Sequence, residues 1–111
     1  MNKLIISGKN KLNGKVRLTA AKNAVLPLIA ACLLTKEEVV FYDVPELSDV
    51  AAMIELIKSL GCRAEQCGNM LAIKCESVNP KKIDNDVVRK IRSSFFLLGA
   101  LLARTGEAYI H

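Results

Sequence analysis

The chain has 111 residues, with 16 Lys+Arg against 11 Asp+Glu, 51% apolar residues, 5% aromatic, four Cys and three Pro. This composition excludes an intrinsically disordered chain, which would be poor in apolar residues, and at this length one domain is expected. The longest apolar stretches, 24–34 and 95–103, are interrupted by Pro27 and Gly99 and fall short of the roughly 18 residues that a membrane span needs. The first residues lack the apolar core and cleavage pattern of a secretory signal, so a cytoplasmic address and no membrane partner are expected. In that setting Cys32, Cys62, Cys67 and Cys75 are read as reduced thiols, and a lone His111 argues against a zinc site.

The charge is uneven. Met1 to Lys36 holds seven basic residues and no acidic one, whereas the rest of the chain sums to −2. Such a stretch points to a polyanionic partner, either nucleic acid or a phosphorylated small molecule. The alternative of a small basic anion- or nucleic-acid-binding module without catalysis is weakened by the absence of any aromatic residue before Phe41, because single-stranded nucleic acid is held partly by base stacking.

In chain order, residues 4–6 and 16–18 read as two short strands joined through Gly8-Lys9-Asn10 and Asn13-Gly14. From about Ala20 the pattern becomes helical. Residues 24–34 are rich in Ala and Leu and apolar on nearly every face, with Pro27 requiring the helix to begin nearby or its first turn to distort. Residues 39–42 form a strand. Leu47, Val50, Met53, Ile54, Ile57 and Leu60 then mark a second helix, with Ser48 or Asp49 to cap it and Gly61 to end it. Residues 62–67 and 70–74 flank Gly68-Asn69 and read as a hairpin. A third helix is expected over 86–104, with Val88, Ile91, Phe95, Leu98 and Leu102 in one stripe and Thr105-Gly106 ending it. A last strand begins at Glu107.

A shift of 68 residues lays 31–36 on 99–104 and 41–42 on 109–110, so a small-residue helix followed by a strand occurs twice. The first unit then reads helix, strand, helix, strand, strand, and the second stops early.

Thr19 is placed to cap the first helix, which puts Lys22 in its first turn. A cation there opposes the positive end of the helix dipole, unless an anionic ligand meets both, or the side chain swings into solvent. Asn23 beside it offers both a donor and an acceptor.

The segment 16–31, with Ala21-Lys22-Asn23-Ala24 followed by Leu26-Pro27 at its centre, resembles the amino-terminal signature of the UDP-N-acetylglucosamine 1-carboxyvinyltransferases, a family of enolpyruvyl transferases. Asp43-Val44-Pro45, Leu47-Ser48-Asp49-Val50, Leu60-Gly61 and Ile91-Arg92-Ser93-Ser94-Phe95 follow in the family's order. The resemblance implies an α/β (α+β) fold of repeated helix-strand-helix-strand-strand units, part of an inside-out α/β barrel, cut within the second unit. It implies that residues 1–19 are opening strands that pack on a missing carboxy-terminal domain, and that 20–111 are the first unit and the start of the second. A piece lacking its remainder would self-associate.

The implied reaction moves the enolpyruvyl group from phosphoenolpyruvate to the 3-hydroxyl of UDP-N-acetylglucosamine, the first committed step of peptidoglycan synthesis, with no cofactor. Carried over by position, Lys22 and Asn23 would contact phosphoenolpyruvate and Arg92 the sugar nucleotide. The family's cysteine acid would lie beyond His111, so no catalytic residue is assigned within this chain, and alone it is expected to be inactive. The family commonly has Gly where this chain has Ala20, which narrows the backbone freedom and the space for a ligand there.

Overall fold

The computed structural model describes residues 2–18 and 21–111, and of Ser93 the backbone only; the expected Thr19 cap and the Ala20 position lie outside the described residues. Four helices and a three-stranded sheet are formed between 22 and 105 in the order α1 (Lys22–Ala31), β1 (Glu38–Phe41), α2 (Ser48–Ser59), β2 (Arg63–Cys67), β3 (Met70–Lys74), α3 (Asn85–Val88) and α4 (Phe95–Thr105). Through β3 this is the expected helix-strand-helix-strand-strand unit.

The sheet has the order β1-β3-β2 with both pairings antiparallel, so β3 is central. The β2–β3 hairpin turns through Gly68-Asn69 as its sequence predicts, with Gly68 at φ +60°, a conformation that glycine adopts without steric cost. Side chains alternate across the sheet. Ala64, Leu71 and Ile73 are buried, Val39 and Phe41 pack against the same core, and Glu38, Arg63 and Glu65 face outward.

The helices cover the apolar face. Helix α2 buries Val50, Met53, Ile54 and Ile57 of the expected stripe and Leu56 besides, while Leu47 ahead of it is exposed, and it ends at Gly61 with φ +104°. Its cap differs from expectation: Leu47 holds the N-cap position without a side-chain bond, and Ser48 and Asp49 are already helical. Helix α1 starts at Lys22, ahead of Pro27, and tightens into a 3-10 turn over Cys32–Leu34. It is less enclosed than its composition suggests, with Val25, Leu26, Ile29 and Ala30 buried but Leu28 and Leu34 exposed.

Three expectations fail, each where a strand or helix needed something the local pattern does not hold. The strands 4–6 and 16–18 do not form: residues 2–18 carry neither helix nor strand and are exposed throughout, because a strand without a paired neighbour has no acceptors for its amides. The strand from Glu107 is likewise absent, although Ala108 and Ile110 lean on the core. The expected helix 86–104 is broken into α3, a 3-10 turn at Arg92–Ser94, and α4. The Asp84 carboxylate caps α3 by accepting from the Asp86 and Val87 amides at 3.0 and 3.3 Å. The Ser94 hydroxyl, buried, lies 3.0 Å from the Ile91 carbonyl and 3.4 Å from that of Val88, so it satisfies main-chain oxygens that the break leaves over. The break rotates the stripe: Leu97, Ala100 and Leu101 turn inward, and Phe95 is 74% exposed.

Arg104, in the last turn of α4, binds the unit together. Its Nη1 donates to the carbonyls of Leu33 at 2.8 Å and Thr35 at 3.2 Å, and its Nη2 to those of Cys75 at 2.8 Å and Glu76 at 3.2 Å. One planar fork thus satisfies the exit of α1 and the segment leaving β3. Gly106 follows at φ +81° and closes α4, its amide on the Leu102 carbonyl.

The cysteines are not all reduced thiols. Cys62 and Cys75 are joined as a disulfide, with their Cα atoms 4.4 Å apart, because the β2–β3 register that pairs Arg63 with Lys74 places them opposite one another. Cys32 is buried, and burial pushes its thiol up to about 11; Cys67 is exposed at the end of β2. Among the described residues no helix is long and apolar enough to cross a membrane.

Two outcomes follow from this packing. Arg104→Ala lowers unfolding free energy by about 2–3 kcal/mol, and Arg104→Lys, which keeps the charge but not the fork, by about 1–2 kcal/mol, both read from urea denaturation; a Lys variant as stable as the parent contradicts the role given to the fork. A disulfide-exchange reagent titrates Cys67 in the native protein, Cys32 only after unfolding, and Cys62 and Cys75 only after reduction; rapid native titration of more than one thiol contradicts the assignment.

Candidate functional site

The site is assembled at the N-terminal ends of α1 and α2 and at the break before α4. Helix α1 is entered through Ala21, extended at φ −75° and ψ 124°, whose carbonyl accepts from the Ala24 and Val25 amides at 3.1 and 3.2 Å. Alanine has no side chain to cap with, and the first turn carries no acidic residue. Lys22 and Asn23 are its first two residues. Pro27, lacking an N–H, cannot donate to the Asn23 carbonyl, so that oxygen is left to other donors.

Helix α2 packs beside α1 and carries Asp49 in its first turn, where a carboxylate is favoured by the helix dipole. The Asp49 Oδ2 accepts from Lys22 Nζ at 2.9 Å, with the two side chains 35% and 43% exposed. The carboxylate therefore does for Lys22 what its own helix start cannot.

Arg92 opens the 3-10 turn between α3 and α4. The same turn is held by the Ser94 hydroxyl on the Ile91 carbonyl, which fixes the backbone from which Arg92 projects. Lys22, Asn23 and Arg92, two of them at the first helix and one far along the chain, line a single open cleft of about 380 Å³ together with Leu26, Asp49, Lys90, Ile91 and Phe96. Leu26 and Ile91 are buried and form its apolar floor, and Phe96 is half exposed at its side.

The structure brings together all three residues that the sequence singled out, and adds two charged ones. Asp49 was legible only as a helix cap. Lys90 was hidden because residues two apart on a continuous helix project about 200° apart, so Lys90 and Arg92 would not share a face. The break between α3 and the 3-10 turn removes that restriction. Among the described residues neither Lys90 nor Arg92 has a carboxylate within ion-pairing distance, so the cleft holds three cations against one anion. A point-charge ammonium, a forked guanidinium and the Asn23 amide above an apolar floor suit a ligand with phosphate or carboxylate groups and a flat or aliphatic body.

No cysteine lines this cleft among the described residues. Cys32 donates its thiol to the Leu28 carbonyl at 3.5 Å inside the core, and Cys62 and Cys75 are joined at the end of the β2–β3 hairpin opposite its turn.

A family model described as EPSP synthase (3-phosphoshikimate 1-carboxyvinyltransferase) matches residues 6–111. Among curated proteins, the UDP-N-acetylglucosamine 1-carboxyvinyltransferases of Thermotoga petrophila and Thermotoga maritima are 41% and 42% identical over 110 residues, which is 99% of this chain and 26% of each relative. That of Methylacidiphilum infernorum is 43% identical over the same length. Among solved structures, the enolpyruvyl transferase NikO from Streptomyces tendae superposes with a TM-score of 0.78 at 26% sequence identity, covering 91% of this chain and 24% of NikO. The chain thus spans about a quarter of the length of the relatives it matches. With a family model matched over nearly the whole chain, and with its α/β unit superposing on a solved enolpyruvyl transferase, the chain belongs to the EPSP synthase family.

Proposed function

We propose that this chain supplies part of the substrate site of an enzyme that transfers the enolpyruvyl group of phosphoenolpyruvate to the 3-hydroxyl of UDP-N-acetylglucosamine, the entry step of peptidoglycan synthesis. The observation that carries the reading is the convergence of Lys22, Asn23 and Arg92 on one cleft with an excess of positive charge. The sugar nucleotide is favoured over a shikimate-type acceptor by the names of the relatives at 41–43% identity.

In this reaction the 3-hydroxyl gives up its proton to a base and its oxygen bonds to the enol carbon of phosphoenolpyruvate, while an acid delivers a proton to the methylene carbon. Loss of phosphate and of a methyl proton then restores the double bond. Every stage keeps phosphate, carboxylate and diphosphate charge close together, which is costly unless cations face it. Lys22, with Asn23 beside it, meets the phosphoenolpyruvate anions. Arg92 offers two parallel donors to the diphosphate of the nucleotide.

Protonation of carbon needs a positioned acid. The thiol of Cys32 is sequestered in the core and that of Cys67 stands at the sheet, so neither is placed to serve the cleft. The reading therefore gives these residues binding and charge neutralisation, and assigns the proton donor to another part of a longer enzyme. The fully exposed apolar residues Leu4, Ile5, Ile6, Val16 and Leu18 support the further reading that residues 1–19 pack on a second domain of that enzyme, while 20–111 form the first unit and the start of the second. Exposed Phe95 and Leu102 favour self-association of the chain alone for the same reason.

Calorimetric titration of the 111-residue chain with UDP-N-acetylglucosamine is the test. Arg92→Ala weakens binding by about 10- to 100-fold, the loss expected when a charge-assisted contact is removed, and Lys22→Ala weakens phosphoenolpyruvate binding to a similar degree. The chain alone releases no phosphate from the two substrates. Affinities unchanged in both variants, or turnover by the chain alone, contradict the reading.

A further inference from the structure

The Lys22–Asp49 ion pair stands inside the cleft, and the proposed ligand binding does not account for it. Lys22 is the cation nearest the start of α1, and its ammonium is engaged by the Asp49 Oδ2 at 2.9 Å. The other charged groups of the cleft, Lys90 and Arg92, come from the opposite wall and have no carboxylate within ion-pairing distance among the described residues. A phosphate entering the cleft meets two available cations and a third that already has a partner. Both members of the pair remain partly open to solvent, at 43% and 35% exposure, and an ion pair of that kind is weak enough to be exchanged for a stronger one.

We propose that Asp49 is a built-in counter-ion of the cleft: it holds Lys22 at the mouth in place of a ligand anion, is displaced when a phosphate-bearing ligand enters, and thereby lowers the affinity of the cleft for such ligands. The inference rests on the anion-binding reading of the cleft given above. Asp49 is suited to the role because α2 places it in a first turn, where its negative charge stays stabilised by the helix dipole after Lys22 has left. Lys22 in turn needs a partner in the empty cleft, since the start of α1 offers it repulsion alone. An exchange of partners avoids leaving Lys22 unpaired in either state. Asp49 discriminates by charge through Lys22: an anionic group must displace it to reach the ammonium, and a neutral group does not compete for it.

The test compares the parent chain, Asp49→Asn, Lys22→Met and the double variant, titrated with phosphoenolpyruvate, the anion given to Lys22 above, and with uridine as the neutral control. Thermal melts confirm that each variant is folded, and the asparagine keeps the shape of the aspartate. Asp49→Asn tightens phosphoenolpyruvate binding by about three- to fivefold, the factor to which an exposed ion pair corresponds, and the gain shrinks as salt is raised. The gain vanishes in the Lys22→Met background, and uridine binding does not change.

Unchanged or weaker phosphoenolpyruvate binding by Asp49→Asn, while Lys22→Met weakens it, overturns the counter-ion role and leaves the anion site standing. An equal gain for uridine also overturns it, because repacking rather than charge would then be responsible. Failure of phosphoenolpyruvate to bind either the parent or Asp49→Asn overturns the counter-ion role together with the reading of the cleft.

Discussion

The guanidinium of Arg104 is the contact on which the arrangement of this protein turns. Helix α4 reaches the first unit from far along the chain, and its apolar face alone would let it slide or rotate on α1. Four carbonyls, from Leu33, Thr35, Cys75 and Glu76, receive the one fork and fix the end of α4 against both the exit of α1 and the end of the sheet. Main-chain oxygens turned from water need donors, and the two terminal nitrogens of one planar guanidinium supply them with little further loss of freedom. With its far end fixed, the start of α4 is directed toward the start of α1. Arg92 and Phe96 therefore meet Lys22 and Asn23 across one cleft.

The cleft is organised by charges that the fold holds in locally unequal positions. Lys22 stands where its own helix disfavours a cation, and Asp49 stands where its helix favours an anion. Packing the two helix starts side by side lets one correct the other. The break before α4 then adds Lys90 and Arg92, which have no matching carboxylate among the described residues. The surplus of cations is thus a product of helix ends and a helix break, which are the places in a chain where main-chain groups are also left open to a ligand.

Much of the core unit was legible in the sequence. Helix α2 followed from its apolar spacing, the β2–β3 hairpin from Gly68-Asn69, and the unit order from the shifts between periods. Lys22, Asn23 and Arg92, which line one cleft, were singled out through the family resemblance; a lysine at a helix start and an arginine on a polar face would not otherwise have stood out. What escaped was non-local. Residues 86–104 hold one apolar pattern whether the helix is continuous or broken, and the Ser94 hydroxyl that supports the break finds its acceptors at Ile91 and Val88 only once the chain has turned. The Cys62–Cys75 pairing needed the strand register, and Lys90 joined the cleft only because the helix stopped. The opening strands were read from two short apolar segments and the turn residues between them, which cannot say whether a neighbour is held in place to pair with.

The central claim is that the cleft between α1, α2 and the turn before α4 recognises the sugar nucleotide, and not the basic segment 2–18. Amide and side-chain chemical-shift mapping on the labelled chain, titrated with UDP-N-acetylglucosamine, tests it most directly. The account predicts saturable shifts centred on Lys22, Asn23, Asp49, Lys90 and Arg92, with Lys3, Lys9, Lys11, Lys15 and Arg17 unmoved. Shifts centred on those five basic residues, with the cleft silent, would contradict it.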